Sequence, residues 1–261
     1  MRLVPRASTS PVPQTAARRA RAPRRTPPRH ESPRAADVGS DEERIAVGLP
    51  SGSVDVSADW TRPDGAWAVV AVAHGAGAGY RHPFLTGFTA ALNVHGCATL
   101  RFTFPYAEAG RRMPGPAAHA VEAWRAMSEF AGDRAPDLPL WAAGKSYGGR
   151  MASMAAAEGV IRPAGLVYLG YPLHPPGEPE KARVAHLPDI AQPQLFVEGT
   201  NDRFVDPHDQ LEAAVASCQD ADIAWIEGAG HSFDVKGLTR TPDEVGAALA
   251  PVVVEWMRSR S

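Results

Sequence analysis

The hexapeptide Gly144-Lys145-Ser146-Tyr147-Gly148-Gly149 sets one serine between glycines on both sides. A serine hydroxyl is a weak nucleophile, so it needs an adjacent base and a geometry that exposes it. Glycines permit a sharp turn whose dihedrals and close approaches a Cβ would forbid. Residues 138–143 (LPLWAA) read as a buried strand and the small residues of 149–157 as a helix. A strand–turn–helix of this kind carries Ser146 at its tip and aims the first helical amides at it. The letters Gly144-Lys145-Ser146 also occur in phosphate-binding loops, but those require a glycine at position 139, where Pro139 stands.

The chain has 9 histidines that compete for the role of base. His231, in Gly228-Ala229-Gly230-His231-Ser232-Phe233, follows the last strand candidate and precedes the C-terminal helix, so a glycine-rich loop can carry its ring over the sheet. His95 precedes a strand at the wrong end of the sheet. His119 and His208 read as helix surface or helix start, and His30 lies in the basic N-terminal segment. The base needs a carboxylate to fix its tautomer. Asp202, in Gly199-Thr200-Asn201-Asp202 after the strand QLFVE, is the first candidate, with Asp206 close by as the second. The fourth element is a pair of amide donors for a developing oxyanion. The amide of Tyr147, next after the serine, and that of Ala76, in His74-Gly75-Ala76-Gly77-Ala78-Gly79, fit this need. A phosphate cradle is the rival use of such a loop, but no Gly-Lys-Ser/Thr follows it and no Gly-x-Gly-x-x-Gly with a following acid is formed.

These residues must be positioned by a frame. Short alternating runs at 45–48 and 54–57 suit a first antiparallel pair. Apolar strand candidates follow at 67–73, 98–104, 138–143, 165–169, 194–198 and 223–226, most of them ending at glycine or proline. Near-continuous apolar strands imply burial on both faces, as in a parallel sheet. Helical patterns lie between them at 119–130, 149–157, 209–217 and 242–258. The alternation predicts an α/β fold: a doubly wound, mostly parallel sheet flanked by helices, with ligands at the carboxyl ends of the strands. Only about 23 residues separate the strands at 165–169 and 194–198, and they are proline-rich, so no sizeable lid domain is expected there.

Two parts of the chain differ in composition. Residues 1–40 carry nine Arg and no Lys against Glu31 and Asp37, and dense proline with few apolar residues predicts a disordered tail. A nucleic-acid-binding arm or a targeting peptide remains open for that tail. The net charge of the whole chain is −2, so the domain expected over 44–261 is acidic. An acidic body fits poorly with nucleic-acid binding by the folded domain. Two cysteines, Cys97 and Cys218, are too few for a disulfide framework or a sulfur-rich metal site and read as buried thiols in a reducing compartment. No apolar run is long enough to span a membrane, and none follows the basic start as a secretory signal requires. A cytoplasmic location is expected.

Taken together, His74-Gly75-Ala76-Gly77, Gly144-Lys145-Ser146-Tyr147-Gly148-Gly149-Arg150, Gly199-Thr200-x-Asp202 and Gly230-His231-Ser232-Phe233 resemble the α/β-hydrolase superfamily. The likeness is greatest to its dienelactone-hydrolase-like branch. Within that branch it resembles the group that includes a subunit of a metazoan chromatin acetyltransferase complex and its bacterial relatives. The resemblance implies a serine hydrolase with the triad Ser146, Asp202 and His231, no metal and no cofactor, acting on an ester or thioester of a small acyl substrate through an acyl-enzyme. Ser146 stands where dienelactone hydrolases use cysteine, which argues against a dienelactone substrate. Some members of the narrower group serve as scaffolds, so a catalytically silent binding protein is the alternative. Tyr80, Arg81, His82, Pro105, Tyr106, Tyr171, Pro172 and His174 fall on loops at the same edge and are candidates to line the pocket, with Arg81 or Arg150 as a receiver for an anionic group. Removal of residues 1–40 is expected to leave melting temperature and hydrolysis unchanged. A large drop in melting temperature would contradict the disordered tail.

Overall fold

The computed structural model describes residues 40–260, so the expected disordered tail lies outside the described residues. The strands are β1 (Asp41–Leu49), β2 (Gly52–Thr61), β3 (Ala68–Ala73), β4 (Cys97–Phe102), β5 (Leu140–Lys145), β6 (Gly165–Leu169), β7 (Gln194–Gly199) and β8 (Ala221–Ile226). They form one sheet in the order β1-β2-β4-β3-β5-β6-β7-β8. The β1–β2 and β2–β4 pairs are antiparallel, and all pairs from β4 to β8 are parallel. Every residue of β3, β6 and β7 is buried, as unbroken apolar runs require.

Successive residues of β3 face opposite cores, because side chains alternate along a strand. Val69, Ala71 and Ala73 pack on the side of α3 (Ala117–Arg134), α4 (Tyr147–Ala157) and α5 (His208–Ala216). Ala68, Val70 and Val72 pack on the side of α1 (Pro83–Val94) and α6 (Pro242–Arg258). The sheet is therefore covered by helices on both faces, as the sequence predicts. A further short helix, α2 (Pro105–Glu108), follows β4.

Two elements differ from the sequence expectation. Strand β1 begins at Asp41, before the expected start of the domain at 44. The sequence reading assigns no helix between β3 and β4, whereas α1 occupies Pro83–Val94. Its buried face is Phe84, Leu85, Phe88 and Leu92, and Pro83 sits in its first turn, where the missing amide costs nothing. A right-handed crossover between parallel β3 and β4 calls for such an element. Between β6 and β7 only two single 3-10 turns occur, Pro179–Lys181 and Leu187–Asp189, so the carboxyl edge of the sheet carries no helical lid there.

Helices α1 and α6 cross at two glycines. A Cβ on Gly87 would lie 2.0 Å from the carbonyl oxygen of Asp243, and one on Gly246 would lie 2.0 Å from that of Phe84. Backbone cannot withdraw from such a contact without moving a helix. Gly246→Ala is therefore expected to lower stability by about 2–3 kcal/mol in urea titration, the scale of an overpacked core. Gly132→Ala, at an exposed position of α3 with nothing within 4 Å of the added Cβ, is expected to raise stability by about 0.5–1 kcal/mol. Equal effects of the two substitutions would show that the crossing does not limit packing.

Candidate active site

Strand β5 passes into α4 through Ser146, which has φ 48 and ψ −113. Such a backbone state costs an L-residue about 1–3 kcal/mol and persists only where neighbours enforce it. Three glycines do so. A Cβ on Gly144 would lie 2.3 Å from the amide nitrogen of Gly149. One on Gly148 would lie 2.7 Å from the carbonyl oxygens of Ala73 and His74, and one on Gly149 2.7 Å from that of Gly144. The turn thus folds back on itself and presses against the end of β3. The Ser146 amide donates to Leu169 O at 3.0 Å, and Arg150 N donates to Ser146 O at 3.1 Å.

His231 and Asp202 meet this serine. The Nε2 atom of His231 is 2.8 Å from Ser146 Oγ, and its Nδ1 is 2.6 Å from Asp202 Oδ2. The other carboxylate oxygen, Oδ1, accepts from Phe204 N at 2.8 Å. The Asp202 side chain is fully buried, so an ionised carboxylate there has to be hydrogen-bonded. With Asp202 accepting from Nδ1–H, Nε2 is left as an acceptor facing the hydroxyl. The Phe204 ring lies against the imidazole at 4.2 Å between centroids. Burial pushes His231 below its ordinary value, the bond to Asp202 opposes this, and the nearby Lys145 ammonium adds to the lowering.

The loops bearing Asp202 and His231 are stitched together. Asn201 N donates to Ala229 O at 2.8 Å, and its side chain donates to Gly228 O at 3.0 Å. Gly228 N donates to Thr200 Oγ1 at 2.8 Å. A Cβ on Gly199 would lie 2.2 Å from Ala229 O, so only glycine allows the loops to close to this distance. These contacts explain the Gly-Thr-Asn-Asp sequence beyond its aspartate.

The loop after β3 touches the serine. A Cβ on Gly75 would lie 3.7 Å from Ser146 Cβ, and Gly75 and Ala76 line the same cavity as Ser146 and His231. Tyr147 is the first residue of α4, where amides have no partner within the helix. His74 anchors the loop: buried, its Nδ1 donates to Gly75 O at 2.8 Å and its Nε2 accepts from Phe104 N at 3.1 Å. Burial pushes this imidazole down, which keeps it neutral and suited to that double role. The sequence reading placed His74 in a motif without a task. The cavity measures about 560 Å³. Phe84, Leu85 and Val245 give it apolar wall, and His82, Asp234 and Arg240 give it polar groups.

Other candidates fall elsewhere. Asp206 lines a separate cavity near Thr200 and His208, and the carboxylate that bonds His231 is that of Asp202. His82 caps α1 and lines the cavity beside Ser146. Pro105 and Tyr106 line a different cavity on the α3 side. Tyr171 is buried with its hydroxyl bonded to Arg183 O, and His174 is buried against Pro175 O. Tyr80 and Arg81 line a neighbouring groove, where Arg81 is bonded to Glu42 and Tyr80. Arg150 sits half-buried in α4 near Tyr147, Tyr171 and Arg183. Cys97 is buried and its thiol is pushed up to about 12, whereas Cys218 is only half-buried, unlike the expected pair of buried thiols. A second serine–histidine contact, Ser153 Oγ to His186 Nε2 at 2.7 Å, differs in kind. Ser153 is fully buried and its hydroxyl already donates to Arg150 O, so it has no access to a substrate. Among the described residues no group of three His, Cys, Asp or Glu is placed to hold a metal ion, and no helix is long and apolar enough to cross a membrane.

A strained serine between β5 and α4, with acid and histidine loops following β7 and β8 of a mostly parallel sheet, defines the α/β-hydrolase class of fold. The chain belongs to that family: residues 66–258 match the family model described as "Alpha/beta hydrolase domain". Solved structures share the fold. A dienelactone hydrolase from Anabaena variabilis is 22% identical, with a TM-score of 0.65 over 84% of this chain and 98% of its own. An alpha-beta serine hydrolase homologue from Coxiella burnetii is 21% identical, with a TM-score of 0.63 over 82% of this chain and 97% of its own. A Xanthomonas campestris member of the serine hydrolases described as lacking a lid is 22% identical, with a TM-score of 0.61 over 83% and 95% of the two chains.

The lowered His231 yields a test that needs no substrate. Its imidazole is expected to titrate with a midpoint below 6.5, so the neutral base persists at and above that pH. NMR of ring-labelled histidine measures this directly. A midpoint above 6.5 would mean that Asp202 outweighs burial and Lys145.

Proposed function

We propose that this protein is a serine hydrolase that cleaves an ester or thioester of a small acyl substrate through an acyl-enzyme. The observation that carries this reading is the continuous contact from Asp202 Oδ2 through His231 to Ser146 Oγ, at 2.6 Å and 2.8 Å. In the first half-reaction Ser146 Oγ attacks the carbonyl carbon while His231 Nε2 takes the hydroxyl proton. Asp202 supports the resulting imidazolium through Nδ1–H without itself taking the proton. The carbonyl oxygen becomes an oxyanion, received by the amides of Ala76 and Tyr147. The imidazolium then protonates the departing alcohol or thiol. In the second half-reaction water adds to the acyl carbon, His231 takes its proton, and the carboxylic acid leaves as Ser146 regains its hydrogen.

The cavity supports a small acyl group. Its volume of about 560 Å³ and its wall of Phe84, Leu85 and Val245 suit a short or medium apolar chain. The edge without a lid leaves room for the departing portion to extend into solvent.

A fluorophosphonate probe is expected to label Ser146. Labelling should vanish in Ser146→Ala and weaken strongly in His231→Ala. A folded protein that takes up no probe between pH 6 and 9 would sink the enzymatic reading and favour a binding role for the same fold. Asp202→Asn is expected to keep the fold and lower kcat on p-nitrophenyl esters by about 10⁴-fold, since the histidine would then hold the wrong tautomer. Near-normal turnover in that variant would move the acid role elsewhere.

A further inference from the structure

Lys145, the residue between Gly144 and Ser146, points into the site rather than away from it. Its Nζ donates to the main-chain carbonyl of His231 at 2.7 Å, joining residues 86 apart in sequence. The ammonium lies over the floor at Gly170: a Cβ there would sit 3.1 Å from Lys145 Nζ, 3.3 Å from His231 O and 3.4 Å from His231 Cε1. Gly170 also has φ 72, which glycine adopts at no cost. The Phe233 ring closes another side, its centroid 5.6 Å from Nζ. Lys145 also lines the catalytic cavity.

No carboxylate forms an ion pair with this ammonium among the described residues. Glu198 and Asp202 are near enough to act on it through space but not to bond it. Glu198 is fully buried, its Oε1 accepts from Tyr171 N, and its Oε2 has no hydrogen-bond partner. Burial pushes that carboxyl above its ordinary range, the Tyr171 amide and the Lys145 ammonium oppose this, and neither Glu198 nor Asp202 bonds the ammonium directly. A cation enclosed without a paired anion is costly, and an apolar side chain of like length would pack there at less cost. The hydrogen bond to His231 is the contact that an apolar side chain could not supply.

We propose that Lys145 is a positioning residue for the general base: its ammonium anchors the His231 carbonyl and so fixes the imidazole between Asp202 and Ser146. This rests on the serine-hydrolase reading only for its kinetic consequence. The charge has a second effect. Lys145 from β5 and Asp202 after β7 act on His231 directly, His82 at the start of α1 and Asp234 and Arg240 beyond β8 line the same cavity, and Glu198 at the end of β7 acts on Lys145 and Asp202. Asp202 in direct contact favours the imidazolium, and Lys145 opposes it. When His231 holds the serine proton, the neighbouring ammonium raises its acidity and favours delivery of that proton to the leaving group. Burial brings Lys145 itself down to about 8, so its charge is present in the neutral range and fades above it.

The test uses the full chain and the substitutions Lys145→Met, Lys145→Arg and Lys145→Gln. In Lys145→Met, kcat on p-nitrophenyl acetate is expected to fall by about tenfold or more with KM within about twofold, the pattern of lost alignment rather than lost binding. The His231 midpoint in NMR is expected to move upward in the same variant. Lys145→Arg, which keeps a donor and a charge, should restore most of kcat and keep the midpoint low. Lys145→Gln, which removes the charge and shortens the reach to the His231 carbonyl while adding nothing beside the ring, should repeat the loss of kcat and the upward shift. A folded Lys145→Met with unchanged kcat and midpoint overturns the proposal, and so does a loss of kcat with an unmoved midpoint, which would mark a packing role. If Lys145→Met does not fold, Lys145→Arg and Lys145→Gln decide by the same two readouts. If the wild type neither turns over nor takes up a fluorophosphonate, the serine-hydrolase reading fails, while the shift of the His231 midpoint still tests the contact.

Discussion

The site depends on one unfavourable backbone state, the φ 48, ψ −113 conformation of Ser146. An isolated chain would leave it at once. Here relaxation is blocked on every side: the serine amide is bound to β6, its carbonyl begins the ladder of α4, and Gly144, Gly148 and Gly149 fit where any side chain would collide. The strain is offset by the packing of β5 and α4 into the larger core. The serine hydroxyl becomes a fixed point above the carboxyl edge of the sheet, and the other loops need only reach it.

They reach it because a buried carboxylate cannot go unsatisfied. Asp202 lies beneath the surface and takes one bond from Phe204 N and one from His231. The need for that second bond sets the direction of the imidazole, and the direction sets which nitrogen faces Ser146. Thr200, Asn201 and Gly199 hold the two loops at the distance this bond requires.

Much of this was legible in the sequence, and the exceptions have physical causes. The inner strands announce themselves because burial on both faces demands unbroken apolar runs. The motifs at 144 and 199 were visible because close backbone approach admits only glycine, and those at 74 and 230 because Gly77 and Gly228 take φ 74 and φ 72. Helix α1 was hidden by its own function. Gly87 and the Thr and Phe residues around it weaken local helical preference, yet Gly87 is what lets α6 come near. Lys145 and Glu198 could not be read at all, since their roles arise from contacts between distant segments. Arg81 and Arg150 looked available as anion receivers. The fold binds the first to Glu42 and encloses the second away from the cavity.

The glycine crossing of α1 and α6 has a mechanical side. The loop carrying Ala76 leads into α1, and the loop carrying His231 leads into α6, whereas Ser146 and Asp202 follow strands of the sheet. Helices clasped this tightly leave no space at the crossing for a side chain on either. The segments that carry the Ala76 amide and the His231 imidazole thus run on to one shared contact, although they lie far apart in the chain. A pair of residues without side chains thereby ties together two loops that line one cavity.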